Sequence, residues 1–278
     1  MRTPSRERTR IAVLVGRYAL IAVWMLFTLL PLYAAFVASL TKYENLGKSF
    51  LYPTDWQWSN YIDIFSRVPI LDFLKATLIY AVGASVVCVV LAVLAAYALS
   101  RFRFRGKRAF VSVVFLTQLV PQVIIVVPMF MMLSDVGLYD TYAGVILVIA
   151  ATGVAFPILL LRSFFDGLPL ALEEAAAVDG ASRLGILWRI VLPLSAPGLA
   201  TAFALSFFTG WGQYLYPLVL TRSPEHTPVT VGIGRLIDNT TPWEMVMTGT
   251  IIAVIPAVIA YMLVQKFLTN GLMVGAVK

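Results

Sequence analysis

Long apolar runs alternate with shorter polar stretches along most of this chain. Six runs are about as long as a bilayer requires: 18–40, 73–99, 109–133, 142–161, 198–220 and 246–264. As helices, runs of about 20 residues cross a hydrocarbon layer roughly 30 Å thick. Strands of a membrane barrel would be shorter and would alternate apolar with polar positions. The pattern therefore predicts an all-α membrane protein with six transmembrane helices.

Proline residues interrupt several of these predicted spans. They are Pro31, Pro121, Pro128, Pro157, Pro217 and Pro256. Each removes a backbone donor, so each predicts a local kink that neighbouring helices or water must compensate.

The composition agrees with a membrane protein. The chain has 278 residues, of which 60% are hydrophobic and 13% charged, and its mean hydropathy is +0.88. A soluble domain of this size could not bury so much apolar surface. The single cysteine, Cys88, excludes a disulfide framework and is interpreted as a small residue that faces a helix or lipid.

The Lys and Arg residues divide unevenly between the two sides of the predicted topology. Fifteen lie on the side that holds both termini, many of them before residue 18 and at 101–108, and six lie on the other. Acidic residues show the reverse trend, five against nine. This asymmetry predicts a cytoplasmic segment 1–17, a membrane domain 18–264 and a cytoplasmic tail 265–278. It also explains the net charge of +7 without nucleic-acid binding.

A polar cytoplasmic loop, residues 169–197, separates the fourth and fifth spans and predicts two short helices. Pro169 suits the first turn of a helix that continues over Leu170–Val178, and Gly180 suits its end. Ser182 can cap a second helix, which the Leu192-Pro193 pair would end. Physical reasoning alone leaves two interpretations open: an amphipathic helix at the membrane surface, or an element that docks a soluble partner.

Four fixed points in this loop form a spaced pattern. Glu174-Ala175-Ala176 is followed after three residues by Gly180, and after nine more by Ile190-Val191-Leu192-Pro193. The pattern and its place among the six spans resemble the EAA signature of ABC importer permeases. Segments 96–102, 178–181, 193–198 and 265–278 are similar to the carbohydrate-uptake branch, the MalG-like permease subunits.

The resemblance implies a type I ABC importer permease fold with a cytoplasmic coupling-helix loop, in the inner membrane of a bacterium. It implies a heteromeric complex with a second, MalF-like permease subunit, two ATPase subunits and an extracytoplasmic solute-binding protein, and a mono-, di- or oligosaccharide as substrate. The coupling residues toward the ATPase would be Glu173, Glu174, Ala175, Ala176, Asp179, Gly180, Ile190, Leu192 and Pro193. A second ATPase contact would involve the tail, at Asn270, Gly271 and Lys278.

Two further regions follow from the resemblance. The external loop 221–244 is the expected contact for the solute-binding protein, and Trp211, Gln213, Tyr214 and Tyr216 are candidates for the substrate path. Family members often have Trp-Asn-Asp or Trp-Asn-Glu where this chain has Trp211-Gly212-Gln213. The alternative for these aromatic residues is packing between helices.

Other chemistry finds no support in the sequence. There is no phosphate-binding G-x-x-x-x-G-K-[ST] motif, so ATP and magnesium would be used by partner subunits, and the chain itself would hold no catalytic residue or cofactor. No metal-binding motif surrounds the single histidine, His226, which is interpreted as a solvated loop residue. The central parts of the spans lack charged residues, which argues against the alternative of an ion-coupled carrier. Glycerol 3-phosphate or another solute remains an alternative cargo.

Overall fold

The structure, a computed structural model, describes residues 4–45, 47, 51–53, 55–237 and 241–276, with the backbone alone at 4–12, 43 and 266–276. All regular secondary structure in these residues is helical. The α-helices are α1 (Pro4–Ser39), α2 (Asn60–Arg67), α3 (Ile70–Arg101), α4 (Lys107–Thr117), α5 (Gln122–Asp135), α6 (Tyr142–Gly153), α7 (Ala155–Asp166), α8 (Leu170–Val178), α9 (Arg183–Ile186), α10 (Leu192–Leu194), α11 (Ala196–Trp211), α12 (Leu215–Leu220), α13 (Val229–Leu236) and α14 (Trp243–Ala276).

Three helical stretches are long and apolar enough to cross a membrane as single helices. They are Val13–Ser39, Ile70–Arg101 and Trp243–Gln265. Three pairs of helices meet the same criteria together but are bent, by 100° between α4 and α5, by 55° between α6 and α7, and by 82° between Arg183–Leu194 and α11. The described residues thus reach six spans when each bent pair counts as one.

The six predicted spans are thus present, but the third, fourth and fifth are bent or divided rather than single straight helices. The third span breaks before Pro121, whose extended backbone and missing N–H end the helical ladder. The fourth bends at Val154, just after Gly153. The fifth divides into α11 and α12. Proline is not sufficient for a break, because Pro31, Pro128 and Pro256 lie inside continuous helices.

Helices at both ends of the chain run past the predicted domain boundaries. Helix α1 begins at Pro4, inside the predicted N-terminal segment 1–17, and α14 continues through the predicted tail to Ala276. These helices therefore cross the expected boundaries at residues 18 and 264 without a turn.

The described chain divides into two compact units, one of residues 1–68 with 236–254 and the other of 69–235 with 255–278. In the first unit, the end of α1 is fixed by polar contacts: the Asn60 amide donates to the Ser39 carbonyl over 2.9 Å, and the buried Thr248 hydroxyl approaches the same oxygen to 3.4 Å.

Helix α3 forms the centre of the second unit, where it packs against α6, α7 and α11. The approach to α11 is close, because a Cβ atom added to Gly210 would lie 2.9 Å from the Cα atom of Ala81. Small residues allow this kind of backbone contact between membrane helices. Cys88 also faces this contact, within 3.4 Å of the Ser206 hydroxyl, and is buried as expected.

Two apolar clusters fill the second unit. One includes Tyr80, Ile149, Tyr216 and Leu220. The other joins the C-terminal half of α3 to α7 and to the segment after α9, and includes Tyr97, Leu161, Phe165, Leu187 and Val191. Through this second cluster, the loop 169–197 is attached to the membrane helices.

Candidate functional site

Helix α8 covers Leu170–Val178, as the sequence predicted, and begins directly after Pro169. It ends in a Schellman arrangement, in which the Ala181 N–H donates to the Ala176 carbonyl over 2.9 Å and the Gly180 N–H to the Ala177 carbonyl over 3.1 Å. Gly180 has a φ of +83°, a left-handed conformation that is strained for residues with a Cβ atom. Glycine at this position therefore fixes the direction in which the chain leaves α8.

The second helix of the loop is irregular. The Ser182 hydroxyl accepts a hydrogen bond from the Gly185 N–H over 3.1 Å, which confirms the predicted cap. Helix α9 continues into a π-helical turn at Leu187–Val191 and then into α10. The expectation that Leu192-Pro193 would end this helix was wrong by one residue, because Pro193 lies in a first turn, where its missing N–H is tolerated. The 82° bend follows at Ser195.

The two helices present a surface that no described residue covers. Its apolar members are Leu170, Leu172, Val178, Leu184 and Trp188, and its charged members are Glu174, Asp179, Arg183 and Arg189. Ala175 and Ala177 are exposed between them and add almost no bulk. We refer to these residues as the loop surface. An uncovered surface that is mainly apolar with interspersed charges is typical of a protein interaction site.

Glu173 does not belong to the loop surface, so in this conformation its side chain is not available for the expected direct contact with a partner. Its side chain is only 4% exposed, and its Oε1 atom lies 2.6 Å from Nε of Arg101. Successive residues of a helix point about 100° apart, so Glu173 faces the membrane helices while the next residue, Glu174, faces outward.

Arg101, the last residue of α3, is the centre of a buried polar network. Its side chain is 6% exposed, and it donates to the Phe165 carbonyl over 2.7 Å and to the Ser100 hydroxyl over 2.6 Å. Ser100 in turn donates to Asp166 at the end of α7. Removing one member of a buried ion pair typically costs about 3–5 kcal/mol, because the other charge stays buried without a partner.

The remaining predicted coupling residues lie in different environments. Asp179 and Pro193 are exposed, whereas Ile190 and Leu192 pack partly buried against the apolar cluster around Leu161 and Phe165. Asn270 and Gly271 lie in α14, where the structure describes the backbone alone, and Lys278 lies outside the described residues.

Asp140 lies just before α6, and its side chain binds the segment that follows α12. Its carboxylate accepts hydrogen bonds from the Arg222 and Ser223 N–H groups, at 2.9 and 3.1 Å, and from the Ser223 hydroxyl. It also lies 3.1 Å from Nδ1 of His226. Partial burial alone would raise the pKa of Asp140, but these hydrogen bonds outweigh it and hold the pKa well below its usual value.

His226 is therefore less solvated than the sequence suggested, because its side chain is only 18% exposed. Besides Asp140, its ring contacts Tyr142 edge-on with centroids 4.5 Å apart, and its carbonyl accepts from the Tyr80 hydroxyl over 2.8 Å. The Tyr142 hydroxyl donates to the Glu225 carbonyl. Among the described residues, no group of three metal-ligating side chains forms.

The four candidates for a substrate path separate in the structure. Tyr216 is fully buried in the cluster around Tyr80, so it does not line a path in this conformation, and Gln213 is 8% exposed. Tyr214 is exposed, and Trp211 stacks on Phe207 at the edge of a groove of about 350 Å³ that Lys75 also lines.

A second cavity, of about 200 Å³, lies between α3, α6, α7 and α11. Its wall is mostly apolar, and its polar groups come from Cys88, Ser206 and Thr209. No spacing in the sequence indicated this cavity, because four separate helices contribute to it.

Comparison with known families identifies the chain. Residues 88–274, which include the whole loop 169–197, match the family of binding-protein-dependent transport system inner membrane components. The chain belongs to this family. The resemblance inferred from the EAA pattern is thereby confirmed, and the chain is a permease.

Two relatives support the assignment over the full length of the permease. The inner membrane ABC transporter permease protein YcjP of Escherichia coli (strain K12) is 32% identical, with 100% of each chain covered. The sn-glycerol-3-phosphate transport system permease protein UgpE of Rhizobium meliloti (strain 1021) is 33% identical over 96% of this chain and 98% of its own.

Solved structures confirm the fold of the permease. A chain of a bacterial ABC transporter that imports the acidic polysaccharide alginate matches with a TM-score of 0.80 and 29% identity, over 96% of this chain and 98% of its own. A chain of a bacterial alginate transporter in complex with its pentasaccharide-bound periplasmic protein matches with a TM-score of 0.70 at 18% identity, over 93% and 94%. The expected type I ABC importer permease fold is confirmed.

Proposed function

We propose that this permease is the subunit through which an ATP-driven, binding-protein-dependent importer moves a sugar or sugar derivative across the inner membrane of a bacterium. The main support is the arrangement of the loop 169–197. Helix α8 presents Glu174 and Ala175 outward, while its inner side is held to the membrane helices through Glu173. An element with one free side and one fixed side can pass a push from a soluble motor to the helix bundle.

The partners follow from this arrangement and from the family. The loop surface faces the cytoplasm, where the uneven distribution of Lys and Arg puts both termini. Two ATPase subunits dock there and use ATP with magnesium, because this chain has no phosphate-binding motif. A MalF-like permease subunit completes the path, and a solute-binding protein delivers the cargo to the outer side.

The first candidate for the cargo is a sugar. A polysaccharide importer is among the similar structures, and the stacked rings of Trp211 and Phe207 beside a groove suit the apolar faces of a sugar. A second candidate is glycerol 3-phosphate, since one of the relatives is the permease of a transport system for that solute. Lys75 on the groove would suit either a phosphate or an acidic sugar.

A charge reversal on the loop surface tests the proposal. In proteoliposomes that hold the complete complex, we expect Glu174→Lys to lower uptake and cargo-stimulated ATP hydrolysis roughly tenfold or more, because a cation replaces an exposed anion at the contact. The amount of assembled complex should not change. Asp135→Lys is the matched control, since Asp135 is also exposed but lies at the end of α5, outside the loop 169–197. Full coupled uptake by Glu174→Lys would contradict the assignment.

The ion-coupled alternative has a separate test. The permease alone, in proteoliposomes under a proton or sodium gradient, should show no uptake of cargo, whereas gradient-driven uptake would identify a secondary carrier. The cargo itself can be found by a thermal-shift screen of the co-purified solute-binding protein against neutral sugars, acidic sugars and glycerol 3-phosphate.

A further inference from the structure

Glu173 and Glu174 are neighbours in sequence with opposite surroundings. Glu174 is exposed on the loop surface, and Glu173 is 4% exposed and faces the membrane helices. A buried carboxylate needs a partner of opposite charge and further hydrogen bonds, since isolated burial is very unfavourable. The structure supplies these through Arg101 rather than through a residue of the loop.

Each part of the Arg101 guanidinium contacts a different element. Nε donates to Glu173 on α8, Nη2 donates to the carbonyl of Phe165 on α7, and Nη1 donates to Ser100 on its own helix, α3. All three distances are between 2.6 and 2.7 Å. The planar guanidinium holds its donors in fixed directions, so these contacts also fix the angles between the elements.

Aromatic groups enclose the pair. The Tyr97 hydroxyl lies 3.5 Å from Oε2 of Glu173 and 3.5 Å from the carbonyl of Arg183, and the Tyr97 ring meets Phe165 edge-on. Tyr97 is 5% exposed and Phe165 is fully buried. Water is therefore largely excluded, and exclusion of water strengthens the attraction between the two charges.

Without this pair, α8 would be weakly attached. A helix of nine residues is marginal on its own, and of its residues only Ala176 packs against the apolar cluster around Leu161 and Phe165. Glu173 is the buried residue of the helix. The pair with Arg101 is thus the buried polar contact that holds the body of α8 against the membrane helices.

We propose that Arg101 is a positioning residue that joins α8 to the ends of α3 and α7, so that a displacement of the loop surface moves these membrane helices with it. The inference rests on the proposed function, in which an ATPase displaces that surface. Glu174 then contacts the ATPase, and Glu173 transmits the displacement of the loop surface to Arg101 inside the permease.

The experiment uses the complete complex in proteoliposomes and measures the amount of cargo imported per ATP hydrolysed. Arg101→Gln and Glu173→Gln remove one charge each with little change in size, and Arg101→Lys keeps the charge but loses the planar fork. Arg103→Gln is the matched control, because Arg103 is two residues away and exposed.

We expect Arg101→Gln and Glu173→Gln to lower cargo imported per ATP about tenfold, with ATP hydrolysis retained. The double variant should be no worse than either single variant, because both remove the same interaction. Arg101→Lys should recover part of the loss, and Arg103→Gln should behave as wild type. Arg101→Gln combined with Glu174→Gln should instead add the two defects.

Three results would overturn the inference. One is assembled Arg101→Gln and Glu173→Gln complexes that keep the wild-type ratio of cargo to ATP. Another is a reduced yield of complex with a normal ratio in the assembled fraction, which would make the pair a folding element only. The third is a failure of all pair variants to assemble, Arg101→Lys included. If the wild-type complex itself imports nothing on ATP addition, it is the proposed function that fails.

Discussion

At the scale of single residues, Asp140 shows how one carboxylate can fix an external segment. It has a φ of +55°, a left-handed conformation that aspartate tolerates better than most residues. In this conformation its carboxylate meets two consecutive N–H groups of the segment after α12 and the ring of His226. The Asp140 carboxylate therefore acts together with the Tyr80 and Tyr142 hydroxyls to fix the 221–229 region, which we expect to face the solute-binding protein.

A prediction on stability follows from the lowered pKa of Asp140. A group whose pKa is lower in the folded protein stabilises it above the pKa of the unfolded state, about 3.9, and loses that effect as the pH falls toward the folded value. We expect Asp140→Asn to destabilise the detergent-solubilised complex by about 1–3 kcal/mol at pH 7. The difference from wild type should shrink below about pH 4. The difference in unfolding temperature between the variant and wild type, measured at pH 7 and below about pH 4, checks this prediction.

Asp135→Asn is the control for this prediction, because Asp135 is an exposed carboxylate five positions earlier. It should leave the unfolding temperature unchanged at either pH. An Asp140→Asn difference that is equally large at pH 7 and at about pH 2 would show that the carboxylate charge is not the stabilising feature.

At the scale of elements, the end of α8 depends on a single backbone conformation. We expect Gly180→Val to reduce coupled uptake strongly and Gly180→Ala to reduce it less, because a Cβ atom at a φ of +83° costs about 1–2 kcal/mol and a β-branched side chain costs more. Co-purification of the ATPase with each variant measures the loss of the docking geometry. Gly167, whose φ of −81° suits any residue, provides the control: the Gly167→Ala variant should bind the ATPase as wild type does.

The same element shows what the sequence can and cannot predict. The limits of α8, the role of Gly180 and the Ser182 cap were predictable, because propensity and capping act within a few residues. The π-helical turn at Leu187–Val191 was not, since packing of Leu187 and Val191 against α3 and α7 decides it. The bends at Val154 and Ser195 likewise depend on neighbouring helices, and equivalent prolines elsewhere leave a helix continuous.

At the scale of the whole molecule, apolar length and charge distribution were sufficient for the class of fold, and the EAA spacing was sufficient for the family. The sequence did not predict the contacts between side chains that are far apart along the chain. Arg101 and Glu173 are 72 residues apart, and Asp140 and His226 are 86 apart. In the sequence, Arg101 is one of several basic residues that indicate topology, and nothing in that pattern separates it from Arg103.

The internal pairing of Glu173 changes the charge that the loop offers to its partner. From the sequence, the loop 169–197 has three acidic and two basic residues. Once Arg101 neutralises Glu173, two exposed carboxylates, Glu174 and Asp179, face two exposed guanidinium groups, Arg183 and Arg189, among apolar side chains. The loop surface is thus electrically balanced.

If the proposed ATPase subunits dock on this mainly apolar surface of balanced charge, their attachment should be insensitive to ionic strength. Screening within about 10 Å at 0.1 M salt and about 3 Å at 1 M weakens net attraction between charged surfaces, and here little net attraction exists to be lost. We expect the ATPase to stay bound as salt rises across this range, measured by the fraction retained on the immobilised permease. Release at moderate salt would show that charge rather than apolar contact holds the two together.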